Sequence, residues 1–290
     1  MFAPDVRERT LDMFDRAQML GLDGIEILLD KPAAFPADAV RTRALDSGIT
    51  AETFAVMLGV RTNLIDVDPT VRRAGVDYLR SCIDVVHRTG GTTMSGAVHA
   101  AYGHFSGAMA TADEWQWAAE GLRRAGEYAA EAGIALGVEP INRYKMYFIN
   151  TADEGRRMVD AVGLPNVGLV LDTFHMNIEE GSIGGAIRTA GDRLLGIHLN
   201  ENHRGIPGTG HLPWPEVFAA LGAIGYDGWG LIESVVPEMP EMAALFTTWR
   251  KVAPSTEAII TGGLEFFRYQ ASGVSYQTVG AQSEALTPDA

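Results

Sequence analysis

The 290 residues carry 23 basic and 37 acidic side chains, a formal net charge of −14 that repels phosphate backbones and argues against a nucleic-acid partner. With 47% hydrophobic residues the chain can bury one large core or two modest ones, yet no apolar run approaches the roughly 20 residues needed to span a bilayer. The only cysteine, Cys82, forms neither an internal disulfide nor a Cys-rich zinc site and is expected to act as a small buried apolar side chain. The opening stretch MFAPDVRERTLDMFDRAQML is too charged for a secretory signal, so a cytoplasmic enzyme is the expected class.

Helical and strand patterns alternate along the chain. Residues 5–21 have apolar positions at helical spacing and stop at Gly21, and DGIEIL (23–28) reads as a short strand. A helix over 36–48 ends on Gly48, and TAETFAVML (50–58) reads as a strand. Residues 68–91 form a long amphipathic pattern, with Asp68 as N-cap and a double glycine at the end. TTMSGAV (92–98) is strand-like, and a helix over 111–133 opens with the capping-box pair Thr111 and Glu114. IALGVE (134–139) reads as a strand, and the same Thr-Ala-Asp-Glu opening recurs in a helix at 151–163. VGLVLD (167–172), LLGIH (194–198) and WGLIE (229–233) read as further strands, with helices near 182–190 and 215–222 between them. Helices at roughly 239–250 and 254–270 close the pattern, and the stretch from Gly273 has no helical period.

Near-continuous apolar strands joined by helices through short connections predict a parallel sheet buried on both faces. The length fits a TIM-type (β/α)8 barrel in one domain over 1–272. Residues 273–290 form a tail, read as disordered or lying on a neighbouring subunit. A doubly wound sheet is the alternative, but no strand–helix turn carries its phosphate-binding glycine fingerprint. Only seven strands are predicted, and MFAP is too short to supply an eighth before the first helix. The barrel is therefore expected to be incomplete at its first strand.

Four consecutive strands finish on Glu139, Asp172, His198 and Glu233. Parallel barrel strands end on one face, where barrel chemistry sits. Singly, each residue is an ordinary loop-starting acid or a structural histidine; together they are three carboxylates and an imidazole at one mouth. Three anions so placed raise one another's pKa unless a cation joins them. An oxygen-rich set with one histidine suits Mn²⁺ or Mg²⁺, with Co²⁺ and Zn²⁺ also compatible, and Mn²⁺ is the expected ion. Glu26 ends GIE in the same way but is assigned a supporting or structural role, since a strand so early in the chain is not expected to reach this metal.

The stretches GVEPINRYKMYFINT, VLDTFHMNIEE, GIHLNENHRGIPGTGHLPW and IGYDGWGLIES resemble D-tagatose 3-epimerase and the related D-allulose 3-epimerases, members of the xylose-isomerase-like sugar isomerase and epimerase barrels. The resemblance runs from about residue 12 to 270 and is most specific over 137–234. It implies that Glu139, Asp172, His198 and Glu233 bind one divalent metal, and that His175 and Arg204 hold the oxygens of a keto-sugar substrate. It also implies an enediolate chemistry in which Glu139 and Glu233 exchange the proton beside the ketone from opposite faces. A homo-oligomer, dimer or tetramer, is expected.

Three departures stand out. Lys145 replaces an acid of the epimerase motif; it is read as a substrate-binding cation or, in the bland alternative, as a solvent-facing lysine. His99, Tyr102 and His104 follow a strand where the family places specificity residues. The first strand is missing. Together these raise a second chemistry on the same scaffold, elimination from 3-oxo-glycosides as in C-glycoside deglycosidases, which work with a small β-rich partner subunit. A three-zinc nuclease needs more histidines than these strand ends provide, and a two-metal aldose isomerase needs a second carboxylate cluster. A metal-binding subunit completed by a partner remains a non-catalytic alternative. The favoured reading is a metal-dependent ketose 3-epimerase.

Overall fold

The structure, a computed structural model, describes residues 10–234 and 240–271. Its strands are β1 Gly24–Leu28, β2 Thr50–Leu58, β3 Thr93–Ala101, β4 Ala135–Val138, β5 Val167–Asp172, β6 Leu194–His198 and β7 Trp229–Leu231. They pair in chain order, and each neighbouring pair is parallel. The helices are α1 Met13–Met19, α2 Ala37–Ser47, α3 Pro69–Thr89, α4 Ala112–Glu131, α5 Ala152–Val162, α6 Thr173–Glu179, α7 Ile183–Ala190, α8 Trp214–Ala223, α9 Pro240–Phe246 and α10 Thr256–Ala271. This is an α/β TIM-like barrel with a nearly closed seven-stranded sheet. Among the described residues β1 and β7 do not pair, as the seven-strand reading anticipated. A cavity of 240 Å³ lies along these two edges, lined by Ile25, Ile27, Leu231, Phe246 and Phe267 and reached by Glu26 and Glu233. No described helix is long and apolar enough to cross a membrane. The tail from Gly273 lies outside the described residues.

The apolar patterning explains the layers. Every residue of β5 is buried, as expected of a strand covered on both faces. On α3 the buried Val76, Leu79, Cys82, Ile83 and Val86 recur at helical spacing and face the sheet. Burying each large apolar side chain contributes about 1.5–3 kcal/mol. Cys82 is fully buried, the role its sequence context predicted. The caps also match. Asp68 accepts from the Thr70 amide at 2.7 Å, and both Thr111 and Thr151 form complete capping boxes. The first helix begins at Met13, after a turn over residues 10–12, and the part of its pattern before Thr10 lies outside the described residues.

One glycine shapes the mouth. Gly96 of β3 has φ +107°, and a Cβ there would stand 2.6 Å from the Val56 carbonyl oxygen of β2. After it the register jumps from Met57↔Ala97 to Leu58↔Ala101. The Gly96 carbonyl accepts the Glu139 amide at 3.3 Å, so this close approach helps fix where Glu139 leaves β4. Any side chain at position 96 would push β3 from β2 and disturb Glu139.

Candidate metal centre

Asp172 is the last residue of β5 and the N-cap of α6, whose Phe174 amide donates to Oδ1 at 2.8 Å. The helix α6 was not anticipated in the sequence. Its start coincides with the end of the strand, so one carboxylate closes one element and caps the next. Oδ1 also accepts from Asn200 Nδ2 at 3.0 Å, and Oδ2 accepts from Arg204 Nη2 at 3.0 Å. Asp172 and His198 are register partners across β5 and β6, which sets them side by side. Glu139 lies one residue past β4 and Glu233 two past β7, so these two carboxylates sit on the rims of their strands.

His198 is the hub. Its Nδ1 lies 3.6 Å from Glu139 Oε1 and 3.9 Å from Glu233 Oε2, buried and without a hydrogen bond. Its Nε2 is 3.0 Å from Glu26 Oε2, off the line a hydrogen bond needs. Glu26 is interior to β1, not its terminus, and it stands beside His198 Nε2 outside the groups of ligand atoms, the supporting place the sequence reading gave it. Burial pulls the His198 pKa down, but Glu26, Glu139 and Glu233 outweigh it and hold it well above the ordinary value.

The carboxylates differ. Burial raises Glu139 to about 7. Burial also acts on Glu233, but Arg204 and His198 overcome it and lower that carboxyl to about 2. Arg204 binds both Glu233 Oε2 and Asp172 Oδ2. Its backbone has φ 61°, a costly conformation for a non-glycine residue. The surrounding loop holds it there. Ser234 Oγ donates to the Arg204 carbonyl at 2.6 Å, and the Arg204 amide donates to the Glu201 carbonyl at 2.9 Å. The buried Glu201 carboxylate gathers the loop by accepting from Asn202, Gly208 and Leu212 amides and from Trp214 Nε1.

His175 faces the same carboxylates, with Nε2 3.8 Å from Asp172 Oδ2 and 3.9 Å from Glu139 Oε1. Asn142 Oδ1 accepts the Tyr144 amide at 3.0 Å, which orients the amide so that Nδ2 meets His175 Nδ1 at 2.7 Å. The ring therefore carries its proton on Nε2 and presents a donor to the site. Burial lowers its pKa to about 4, so it is neutral.

The remaining candidates separate. His99 lies within β3, not after it. It is wholly buried, with Nε2 3.0 Å from Met146 Sδ and 3.2 Å from the Phe148 carbonyl. Its expected place in the loop after the strand is corrected to the strand itself, where it is enclosed beside Met146 and Phe148. His104 is half-buried in the loop after β3. Tyr102 stays at the edge of the centre, its hydroxyl 3.5 Å from the Leu245 carbonyl. Lys145 is half-buried rather than solvent-facing, and its Nζ donates to the same carbonyl at 2.7 Å. Sequence reasoning missed Asn200, which ties Asp172 to the Glu233 amide (2.7 Å), and Thr173, whose hydroxyl accepts the Asn200 amide at 2.7 Å.

The residues fit a divalent cation. Glu139, Asp172 and His175 offer ligand atoms within 4.8 Å of one another, and so do Asp172, His198 and Glu233. The hydrogen-bond-free His198 Nδ1 faces two carboxylates, and the donor set is oxygen-rich with nitrogen. With His175 presenting a proton, Glu139, Asp172, His198 and Glu233 are the better-suited ligands.

Comparison with known proteins points the same way. The family model described as xylose isomerase-like TIM barrel matches residues 14–268. An L-ribulose 3-epimerase of a Methylomonas species is 33% identical, covering 87% of this chain and 88% of its own. A D-psicose 3-epimerase of Agrobacterium fabrum is 33% identical over 82% of this chain and 84% of its own. The crystal structure of a Methylomonas D-allulose 3-epimerase in complex with D-allulose superposes with a TM-score of 0.88 at 30% identity, covering 92% of this chain and 93% of that one. By sequence and by architecture, this chain belongs to the xylose isomerase-like TIM-barrel family and, within it, groups with the ketose 3-epimerases.

Proposed function

We propose that the protein is a divalent-metal-dependent ketose 3-epimerase. The observation that carries this reading is the convergence of Glu139, Asp172, His198 and Glu233 at one mouth, where His198 Nδ1, free of a hydrogen bond, lies 3.6 Å from Glu139 Oε1 and 3.9 Å from Glu233 Oε2. Two carboxyls at one centre suit proton removal and proton return at a shared carbon. A divalent cation held by Glu139, Asp172, His198 and Glu233 supplies Lewis-acid polarisation of the ketone, and Mn²⁺ suits the set.

The chain's own residues do the rest. Glu233, ionised beside Arg204, takes the C3 proton from one face of the bound ketose. Glu139 relays a proton to the other face, inverting the centre. In the reverse direction the roles exchange. His175 Nε2–H and Arg204 donate to the oxygens of the cis-enediolate. Asn142 and Asn200 keep His175 and Asp172 oriented, as supporting hydrogen bonds do around metal sites. Lys145, the main departure behind the elimination reading, is engaged by a backbone carbonyl and gives that reading no support. Glu139→Gln and Glu233→Gln are each expected to abolish ketose turnover while leaving the circular dichroism spectrum unchanged. Full activity in either variant would overturn the two-base assignment.

A further inference from the structure

α9 ends in an unusual way. The Thr248 amide donates to the Ala243 carbonyl at 2.8 Å and the Thr247 amide to Ala244 at 3.3 Å, the paired bonds of a Schellman ending. The left-handed position of that motif normally holds glycine, but here it is Thr247 with φ 55°. A β-branched residue in that region is strained and persists only where outside contacts over-determine it. The two cap bonds leave the Leu245 carbonyl without a partner in the helix. Lys145 Nζ supplies one at 2.7 Å, a cation at the negative end of a helix. The Tyr102 hydroxyl approaches the same oxygen at 3.5 Å, and Lys145 Nζ lies 5.6 Å from the Tyr102 ring centre. The next residue, Phe246, stands with its ring centre 5.9 Å from the guanidinium carbon of Arg204, which also lies 4.4 Å from the Phe174 ring. Among the described residues no carboxylate pairs with Lys145.

We propose that Lys145 is a positioning residue: it pins the carboxyl-terminal end of α9 and thereby holds Phe246 against Arg204 at the edge of the metal centre. Lys145 acts through Leu245 and does not contact substrate. An acid at position 145 could not do this, since a carboxylate cannot donate to a carbonyl and is repelled by the negative end of the helix. The lysine and the strained helix end are thus one device, and they deepen the proposed epimerase reading by assigning what shapes the mouth.

The test is hydrogen exchange followed by mass spectrometry on the full chain, comparing wild type with Lys145→Met and Lys145→Arg. Lys145→Met is expected to speed exchange at 242–249 at least tenfold while the strands keep their protection, and Lys145→Arg to restore it. With a turned-over ketose, Lys145→Met should raise KM at least fivefold, again with rescue by arginine. Unchanged exchange at 242–249 together with a raised KM would overturn the proposal in favour of direct substrate contact. A uniform rise across all strands would overturn it in favour of general destabilisation. The exchange measurement needs no substrate, so it decides the matter even if no ketose is epimerised and the functional reading fails.

Discussion

Asn200→Ala probes the hydrogen-bonded frame beneath the metal centre. Asn200 is 2% exposed, and its amide spans two groups: Nδ2 donates to Asp172 Oδ1 at 3.0 Å and Oδ1 accepts the Glu233 amide at 2.7 Å. Alanine removes both bonds. The Glu233 N–H loses its acceptor, which costs about 1–3 kcal/mol, and the bond to a charged carboxylate is worth about 1.5–3 kcal/mol. Asp172 Oδ1 keeps the Phe174 amide, so the sum stays near the middle of these ranges, about 4 kcal/mol. In a domain of this size that corresponds to a fall in Tm on the order of 10 °C. Supporting hydrogen bonds of this kind also set metal affinity, and Mn²⁺ binding should weaken by about 10–100-fold. Urea denaturation gives the first quantity and calorimetric titration with Mn²⁺ the second. A stability loss below about 1 kcal/mol with unchanged Mn²⁺ affinity would refute the claim that Asn200 organises the site.

Three further outcomes are expected. Glu139, raised to about 7 by burial, and His198, held well above its ordinary value by its carboxylate neighbours, must both release a proton to bind a cation, so Mn²⁺ affinity should rise by more than about tenfold per pH unit below that value; a flat profile between pH 5.5 and 7 in a chelator competition assay would contradict this. Burial lowers His99 to about 4 from 6.5, so the unfolded chain takes up that proton first. Its contribution is fully present above pH 6.5 and is lost as pH falls towards 4, up to about 3 kcal/mol, and Asn or Gln at position 99 should flatten the measured dependence in that window. Glu26→Ala should weaken Mn²⁺ binding about 10–100-fold by freeing the His198 ring, with strand protection in hydrogen exchange unchanged.

The sequence disclosed the residues whose position follows from strand geometry. A parallel strand buried on both faces reads as an apolar run, and its exit onto a carboxylate or imidazole is visible without coordinates. Asp172 and His198 were therefore legible, and so was the parallel repetition that brings them together. Glu26 was visible too, and the supporting role read for it matches its place beside His198 Nε2. Asn200, Thr173 and Glu201 gave no signal: amides, hydroxyls and acids are common in loops, and their importance lies in partners from other segments. α6 was overlooked because its N-cap is also a strand end. Lys145 was recognised as a departure, yet its partner, the Leu245 carbonyl, lies 100 residues away, and backbone carbonyls carry no sequence signature.

The central claim, that the Glu139 and Glu233 pair exchanges the C3 proton of a free ketose, is tested most directly by NMR in D₂O. The Mn²⁺-loaded protein would be given D-fructose, D-tagatose and L-ribulose in parallel with a 3-oxo-glucoside. Deuterium appearing at C3 of a ketose together with its epimer is the predicted result. No exchange into any free ketose, with the aglycone released from the 3-oxo-glucoside, would contradict the account and move the enzyme to elimination chemistry.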